Sequence, residues 1–140
     1  MGSVLRAWGK NFDVDAFLKG SPFEPLTVWH TGESQSSASN LAGRRQQHSG
    51  MHISVSVREF SDLTGQIEDA VSFLQTYGGE LLRLRDFPGT EGAVLDFPVD
   101  DRDVACQTDT FPSELLMLLG NLRIMLAISR YPIPTNDPPS

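Results

Sequence analysis

Four aspartates close together in the chain have the chemistry to hold a calcium ion. Asp96, Asp100, Asp101 and Asp103 fall within eight residues, and calcium takes roughly 6–8 oxygen ligands. The spacing does not fit an EF-hand loop, because the residues after Asp103 supply neither the third ligand nor the turn glycine that such a loop needs. Solvated acidic loops are the common case for such clusters. The sequence therefore predicts no metal site here and no cofactor.

These aspartates belong to a longer acidic segment, Asp86 to Asp109. It holds seven of the eighteen acidic residues of the chain and one base, Arg102, for a local charge of 1 − 7 = −6 against −7 for the whole chain. A concentrated field of one sign speeds association with a partner of opposite charge. We therefore expect a small, non-enzymatic binding module that docks a basic protein. The seven residues are Asp86, Glu91, Asp96, Asp100, Asp101, Asp103 and Asp109.

Other chemistry is less well supported by the sequence. His30, His48 and His52 could ligate zinc, but His48 and His52 share a face only on a helix, and Gly50 leading into a strand argues against one. Cys106 is the only cysteine, so it cannot form an internal disulfide and is more often a structural residue than a nucleophile. No serine-hydrolase, phosphate-loop or dinucleotide motif occurs. A pI near 4.8 argues against nucleic acid as a partner.

An alternative site lies near the second tryptophan. Trp29, His30 and Glu33 stand at the start of a polar loop predicted at about 31–50. Tryptophan is more often a core residue, since it buries a large area, but here it is followed by groups that can bind a ligand. The alternative function is therefore an uncharacterised enzyme or a small-ligand binder with its site at these three residues.

Hydrophobic spacing predicts the elements that would position these groups. Strands are expected at Ser3–Trp8, Leu26–His30, Ile53–Val57, Leu81–Arg85, Ala93–Phe97 and Ile124–Tyr131. Helices are expected at 13–18, at 63–77, where apolar residues recur at spacings of three and four, and from Pro112, where the apolar run indicates deep burial. Gly78-Gly79 is expected to end the second helix, and residues 88–92 to turn a hairpin.

This order predicts an α+β fold. A β-α-β extension precedes β-α-β-β-α-β from His52 to Tyr131, which is the ferredoxin-like order. We expect a mixed or mainly antiparallel sheet with the helices on one face. A second grouping, in which the first four strands form that unit and the last βαβ is appended, fits nearly as well.

Length and composition complete the expectations. The chain of 140 residues with 39% hydrophobic residues fits one domain, expected at 1–131, with a Pro-rich, frayed tail at 132–140. No signal peptide or apolar run of about 20 residues occurs, so we expect a cytoplasmic protein without a membrane partner. The apolar final strand offers a third option, self-association through an exposed edge.

Several short segments follow one another in an order found in a known family. They are an opening strand at Leu5–Gly9, a short helix at Asp13–Leu18, and Thr27–Glu33, in which a threonine, an aromatic or basic pair, and a glycine before an acid occur in turn. A closing helix at Phe111–Leu116 and a strand at Ile128–Tyr131 complete the order. In these segments the chain resembles the bacterial domain of unknown function numbered 4279. That family has no established activity, so the resemblance implies a small bacterial α+β protein. Acidic proteins of this kind are often inhibitors or immunity partners of basic toxins, which by analogy gives the docking hypothesis its specific form.

Overall fold

Five strands form one sheet in the computed structural model, which describes residues 2–33 and 46–132. The strands lie side by side in the order β2-β3-β1-β4-β5. The first four are antiparallel to their neighbours, whereas β5 runs parallel to β4 after a crossover through α4. A mixed sheet combined with helices confirms the α+β class. The elements are β1 Val4–Gly9, α1 Val14–Leu18, β2 Thr27–Trp29, β3 Ser49–Ser54, α2 Leu63–Thr76, α3 Gly78–Asp86, β4 Gly92–Asp101, α4 Ser113–Asn121 and β5 Met125–Pro132.

One face of the sheet carries the core. Side chains alternate between the two faces of a strand, and in β1 Leu5 and Ala7 are buried while Arg6 is exposed and Trp8 is half-buried. The buried residues of all four helices join Leu5 and Ala7 in one hydrophobic cluster. The helices therefore cover this face, and the opposite face, which we call the open face, has no helix over it among the described residues.

The predicted strand at Leu81–Arg85 is wrong, and with it the hairpin around residues 88–92, because Leu81–Arg85 lies in helix α3. Leu81 and Leu84 are both buried at a spacing of three, which places them on one helical face against the core. Gly78 begins α3 instead of ending α2 in a left-handed turn. Only β4 lies between α2 and α4, so the span from His52 to Tyr131 lacks one strand of the predicted βαββαβ unit.

Other expected elements differ in extent from the structure or lie partly outside the described residues. The third strand begins at Ser49 and ends at Ser54, so Val57 lies beyond it with 78% of its surface exposed. Of the predicted loop at 31–50, residues 34–45 lie outside the described part, as do residues 133–140 of the predicted tail, while Pro132 ends β5. Helix α4 is buried on one side only, because Leu116 and Met117 are 46% and 67% exposed. Within the described ranges, no helix combines the length and the apolar character needed to cross a bilayer.

Candidate functional site

Both tryptophans lie on the open face, in one row that crosses four strands. Trp29 of β2 is paired with Gly50 of β3, Gly50 with Trp8 of β1, and Trp8 with Gly92 of β4. Tryptophan and glycine therefore alternate from strand to strand along this row. Large side chains at every position would crowd the row, whereas each glycine leaves room beside an indole.

Each indole rests over the glycine of the next strand. A Cβ atom built on Gly50 would lie 2.8 Å from Cε2 of Trp29, and one on Gly92 would lie 2.7 Å from Cζ2 of Trp8. The same edge of the indole, around the Cε2–Cζ2 bond, meets the glycine in both cases. Carbon atoms in van der Waals contact lie about 3.5–4.0 Å apart, so any other residue at either glycine would displace its tryptophan.

A cleft of about 270 Å³ is lined by Arg6, Trp8, Trp29 and His48. We call it the tryptophan cleft. A second, wider cleft of about 510 Å³ shares Arg6, Trp29 and His48 with it. The wider cleft adds Thr27, Val28, Glu33, Gln46 and His52. Two aromatic rings, a guanidinium and two imidazoles thus converge on one region of the open face.

Arg6 supplies the permanent positive charge of this region. It forms no ion pair within the described residues, whereas Arg58, Arg83, Arg85 and Arg102 each face a carboxylate. Its cross-strand neighbours are His52 of β3 and Val94 of β4. Arg6 is exposed and can therefore offer its donors to a ligand.

His52 is held in its neutral form. Burial lowers its pKa, and the nearby charge of Arg6 lowers it further. Its ring meets the indole of Trp29 edge-on, at 4.9 Å between centroids and 69° between planes. His52 therefore supports the tryptophan and can exchange hydrogen bonds with a ligand, but it adds no charge at neutral pH.

The alternative site predicted from the sequence is divided between the two sides of the sheet. Trp29 lies on the open face, but the imidazole of His30 reaches α1, where its Nε2 lies 2.8 Å from a carboxylate oxygen of Asp15. Its Nδ1 lies 2.6 Å from Glu33. Glu33 therefore belongs both to the wider cleft and to the His30 cluster. Alternation of side chains at the end of β2 accounts for the separation of Trp29 from its neighbour.

The pKa of His30 is raised, chiefly by its hydrogen bond to Glu33; burial opposes this shift, and the hydrogen bond to Asp15 and the charges of both carboxylates add to it. Since the folded state holds the proton more tightly than the unfolded chain, His30 stabilises the fold most below its unfolded pKa of about 6.5. The stabilisation is lost as pH rises through the raised folded value. We expect the melting temperature of the native protein to fall over this window by more than that of His30→Gln.

Melting curves across this pH window check the expectation for His30. His52→Gln is the matched control. The pKa of His52 is lowered in the folded protein, so this histidine gives the melting temperature the opposite pH dependence, with stability gained as pH rises through about 6.5. Identical pH profiles for the native protein and His30→Gln would contradict a role for the Asp15–His30–Glu33 cluster.

The acidic segment does not form one surface. Asp86 and Glu91 precede β4, whereas Asp100, Asp101 and Asp103 lie at its other end. Ten residues of strand separate the two groups by roughly 30 Å. The side chains of Asp100, Asp101 and Asp103 therefore remain as the acidic cluster, with Asp101 and Asp103 exposed.

Several carboxylates of the segment have partners inside the molecule. Asp86 pairs with Arg85 at 2.9 Å, which lowers the pKa of its carboxyl, and Asp109 faces Arg102 at 3.6 Å. Asp96 accepts a hydrogen bond from the Ser129 hydroxyl at 2.8 Å, and Glu91 accepts one from the backbone N–H of Lys10. These four carboxylates are engaged in local structure and contribute less to an outward field.

Metal and thiol chemistry gain no support from the geometry. Across residues 2–33 and 46–132, no three metal-ligating side chains gather at a point. His48 and His52 line the same cleft, but His30 lies on the other side. Cys106 is exposed, and its sulfur lies 3.8 Å from the Thr108 hydroxyl, with no histidine as a hydrogen-bond partner in the described part.

Arg6, Trp8, His48 and His52 were not predicted as site residues. Arg6 and Trp8 share a face because side chains alternate along β1, but only the strand order brings them next to Trp29 and His52. Comparison with family models, with curated proteins and with solved structures finds no match for this chain. The resemblance to the family numbered 4279 therefore stays a prediction.

Proposed function

We propose that the protein is a small-ligand-binding module whose site is the tryptophan cleft. The observation that carries the proposal is the row of two indoles resting on glycines, with Arg6 beside them, which pairs with no carboxylate of the described residues. This is the alternative function expected from the sequence, with Trp29 and Glu33 retained and His30 replaced by Arg6, Trp8, His48 and His52.

A purely structural role accounts poorly for this arrangement. Tryptophans that only fill a core bury their rings between layers, but Trp8 and Trp29 lie on the open face, where no helix of the described residues covers them, and stay half-exposed. A structural arginine within a sheet is commonly placed opposite a carboxylate, because opposite charges stabilise cross-strand pairs. Arg6 instead lies opposite His52 and Val94. Aromatic surface with a few convergent polar groups is the usual composition of a ligand site.

The same proposal takes the first four strands as a ferredoxin-like unit, the grouping that the sequence left open. Its support is the pairing: β4, β1, β3 and β2 lie side by side, each antiparallel to the next. Helices follow β1 and β3, as in a βαββαβ chain, and α4 with β5 is then the appended part. The fold by itself does not define the function; it leaves one sheet face free to hold the site.

Intrinsic fluorescence tests the proposed function directly, because the chain has two tryptophans and both line the cleft. A thermal-shift screen of metabolites comes first, since a ligand that binds the folded state raises the melting temperature by mass action. Each stabilising compound is then titrated while tryptophan emission is recorded. We expect a change in emission, and loss of the stabilisation in Trp29→Ala.

The control for this screen is Phe60→Ala, an aromatic replacement outside both clefts. It should keep the ligand-induced stabilisation. Compounds that stabilise the native protein and Trp29→Ala equally, without changing emission, would contradict the proposed site.

Docking of a basic protein is a second candidate, narrowed to Asp100, Asp101 and Asp103. The observation in its favour is that Arg102, the one base among them, faces Asp109 instead.

Reversal of the three charges to lysine should abolish capture of a basic partner from a cell extract at low salt, because such complexes depend on unscreened charge. Reversal of Asp86 and Glu91, at the other end of β4, is the matched control and should leave capture intact. Equal capture by both variants would remove this candidate.

A further inference from the structure

We infer that the ligand of the tryptophan cleft is a planar aromatic ring that carries one anionic group, with the size and chemistry of a single nucleotide. The inference rests on the proposed function and specifies its ligand. Three features carry it: the two half-exposed indoles, the charge of Arg6, and the acidic surroundings that limit the ligand to one anion.

The two tryptophans offer aromatic surface to a flat ring. Trp8 and Trp29 are half-buried on the open face, and both line the tryptophan cleft. The indole of Trp29 covers Gly50 and the indole of Trp8 covers Gly92, so a ligand ring would stack on the parts of the indoles that remain exposed. Aromatic rings stack favourably at roughly 4.5–7 Å between centroids, and a planar ring can approach an exposed indole to that distance.

The size of the cleft limits the ligand. Sites for drug-sized molecules have volumes of roughly 300–1,000 Å³, and the tryptophan cleft has about 270 Å³. One ring system therefore fills it. A substituent on the ring would extend past Arg6 into the wider cleft, which has about 510 Å³ and shares Arg6, Trp29 and His48 with the first.

Arg6 selects an anionic substituent. Its planar guanidinium matches the oxygen atoms of phosphate or carboxylate, and such charge-assisted bonds are about twice as strong as neutral ones. His52, next to it across the strand pair, can add a neutral hydrogen bond. No carboxylate of the described residues pairs with Arg6, so an incoming anion displaces no internal partner.

The surroundings favour one anion over a chain of them. The molecule has a net charge of −7, and Asp96 lies one row beyond Arg6 on the open face, paired with Val4. A nucleic-acid strand would bring its next phosphates towards this carboxylate, and polymer affinity depends on many cations. A free nucleotide needs only one cation, which Arg6 provides. The low pI, which disfavours nucleic acid, is therefore compatible with a nucleotide ligand.

Three related probes test the ligand class: adenosine 5′-monophosphate, which has ring and phosphate, adenosine, which has the ring alone, and ribose 5-phosphate, which has the phosphate alone. Nuclear magnetic resonance of the two indole N–H groups reports on the cleft, since the chain has no other tryptophan. We expect adenosine 5′-monophosphate to shift both signals and to bind at least about tenfold more tightly than adenosine. Ribose 5-phosphate should bind most weakly, because it cannot stack.

Arg6→Gln should reduce the affinity for adenosine 5′-monophosphate to that for adenosine, while leaving adenosine unchanged. Arg130→Gln removes the same charge from an exposed position on β5, outside both clefts, and should have no effect. Equal affinities for adenosine and its monophosphate, or an Arg6→Gln variant with unchanged affinity for the monophosphate, would overturn the proposal that the ligand is anionic, while the cleft would still bind rings. Tighter binding of a short single-stranded oligonucleotide would overturn the single nucleotide. If none of the probes shifts either indole signal, the ligand class is wrong, and the metabolite screen decides separately whether the cleft binds any ligand.

Discussion

Alanine in place of Phe17 is expected to lower the free energy of unfolding by about 3–5 kcal/mol. The ring of Phe17 is fully buried, at 0% exposure. It contacts three other phenylalanine rings, with centroid distances of 6.1 Å to Phe12, 5.4 Å to Phe87 and 6.4 Å to Phe23. Truncation would leave a cavity among side chains that lie before α1, after α1 and at the end of α3, and these cannot collapse together into the space.

Arg83 adds to this expected loss. Its guanidinium carbon lies 4.0 Å from the centroid of the Phe17 ring, and its Nη2 donates a hydrogen bond to the backbone oxygen of Phe17. Glu80 holds the same guanidinium at 2.7 Å. Helix α1 has only five residues, too few to be stable alone, so this packing fixes α1 and with it Asp15, the partner of His30.

Equilibrium unfolding in urea measures the effect of Phe17→Ala. The control is Phe60→Ala. The ring of Phe60 is half-buried, and its centroid lies 5.1 Å from that of Tyr131. It should cost less than about 1.5 kcal/mol, since partly exposed positions leave smaller cavities. Similar losses for the two variants would show that the phenylalanine cluster is not the main anchor of α1.

The elements that the sequence predicted well are those with a long local pattern. Helix α2 was expected at 63–77 and lies at Leu63–Thr76, with Asp62 accepting a hydrogen bond from the N–H of Gly65 as a cap. Fourteen residues give the helical period enough repeats to exclude a strand. The first strand, the first helix and the last helix were also placed within one or two residues, although their patterns are shorter.

Short apolar runs misled the prediction. Leu81, Arg83 and Arg85 alternate with Leu82 and Leu84, and so few residues satisfy a strand and a helix almost equally. Packing decided between them, because Leu81 and Leu84 together reach the core only on a helix. The paired glycines were taken as a helix end, yet neither adopts a positive φ.

The site was only partly predictable because non-local pairing assembles it. Trp29 could be chosen from its neighbours, but the row that joins it to Trp8 depends on β3 entering between β1 and β2. The role of the two glycines could not be predicted either, because Gly50 and Gly92 resemble turn residues in the sequence. Only the strand register shows that each lies beneath an indole. The separation of the acidic residues has the converse cause, since residues close in sequence are carried to opposite ends of a ten-residue strand.

Gly50→Ala is expected to cost about 1–3 kcal/mol of stability, the usual range for overpacking, and to displace Trp29 from the cleft. The new Cβ would lie 2.5 Å from the backbone oxygen of Ala7 as well as 2.8 Å from Cε2 of Trp29. The indole can rotate away, but the oxygen belongs to the β1–β3 ladder and cannot move without separating the strands. Gly50→Ala therefore affects both the sheet and the site.

Gly92→Ala separates these two effects. The three atoms nearest to its Cβ all belong to the ring of Trp8, the closest being Cζ2 at 2.7 Å, so Trp8 can swing outward with the backbone in place. We expect a smaller loss of the free energy of unfolding, measured in urea, than for Gly50→Ala. We also expect a clear change in tryptophan emission and in near-ultraviolet circular dichroism. Gly120→Ala, where nothing lies within 4 Å of the new Cβ, is the control for glycine replacement itself and should be neutral or stabilising by up to about 1 kcal/mol. If Gly92→Ala and Gly120→Ala leave the tryptophan spectra equally unchanged, the indole of Trp8 does not rest on β4, and the cleft between the two tryptophans loses its geometric basis.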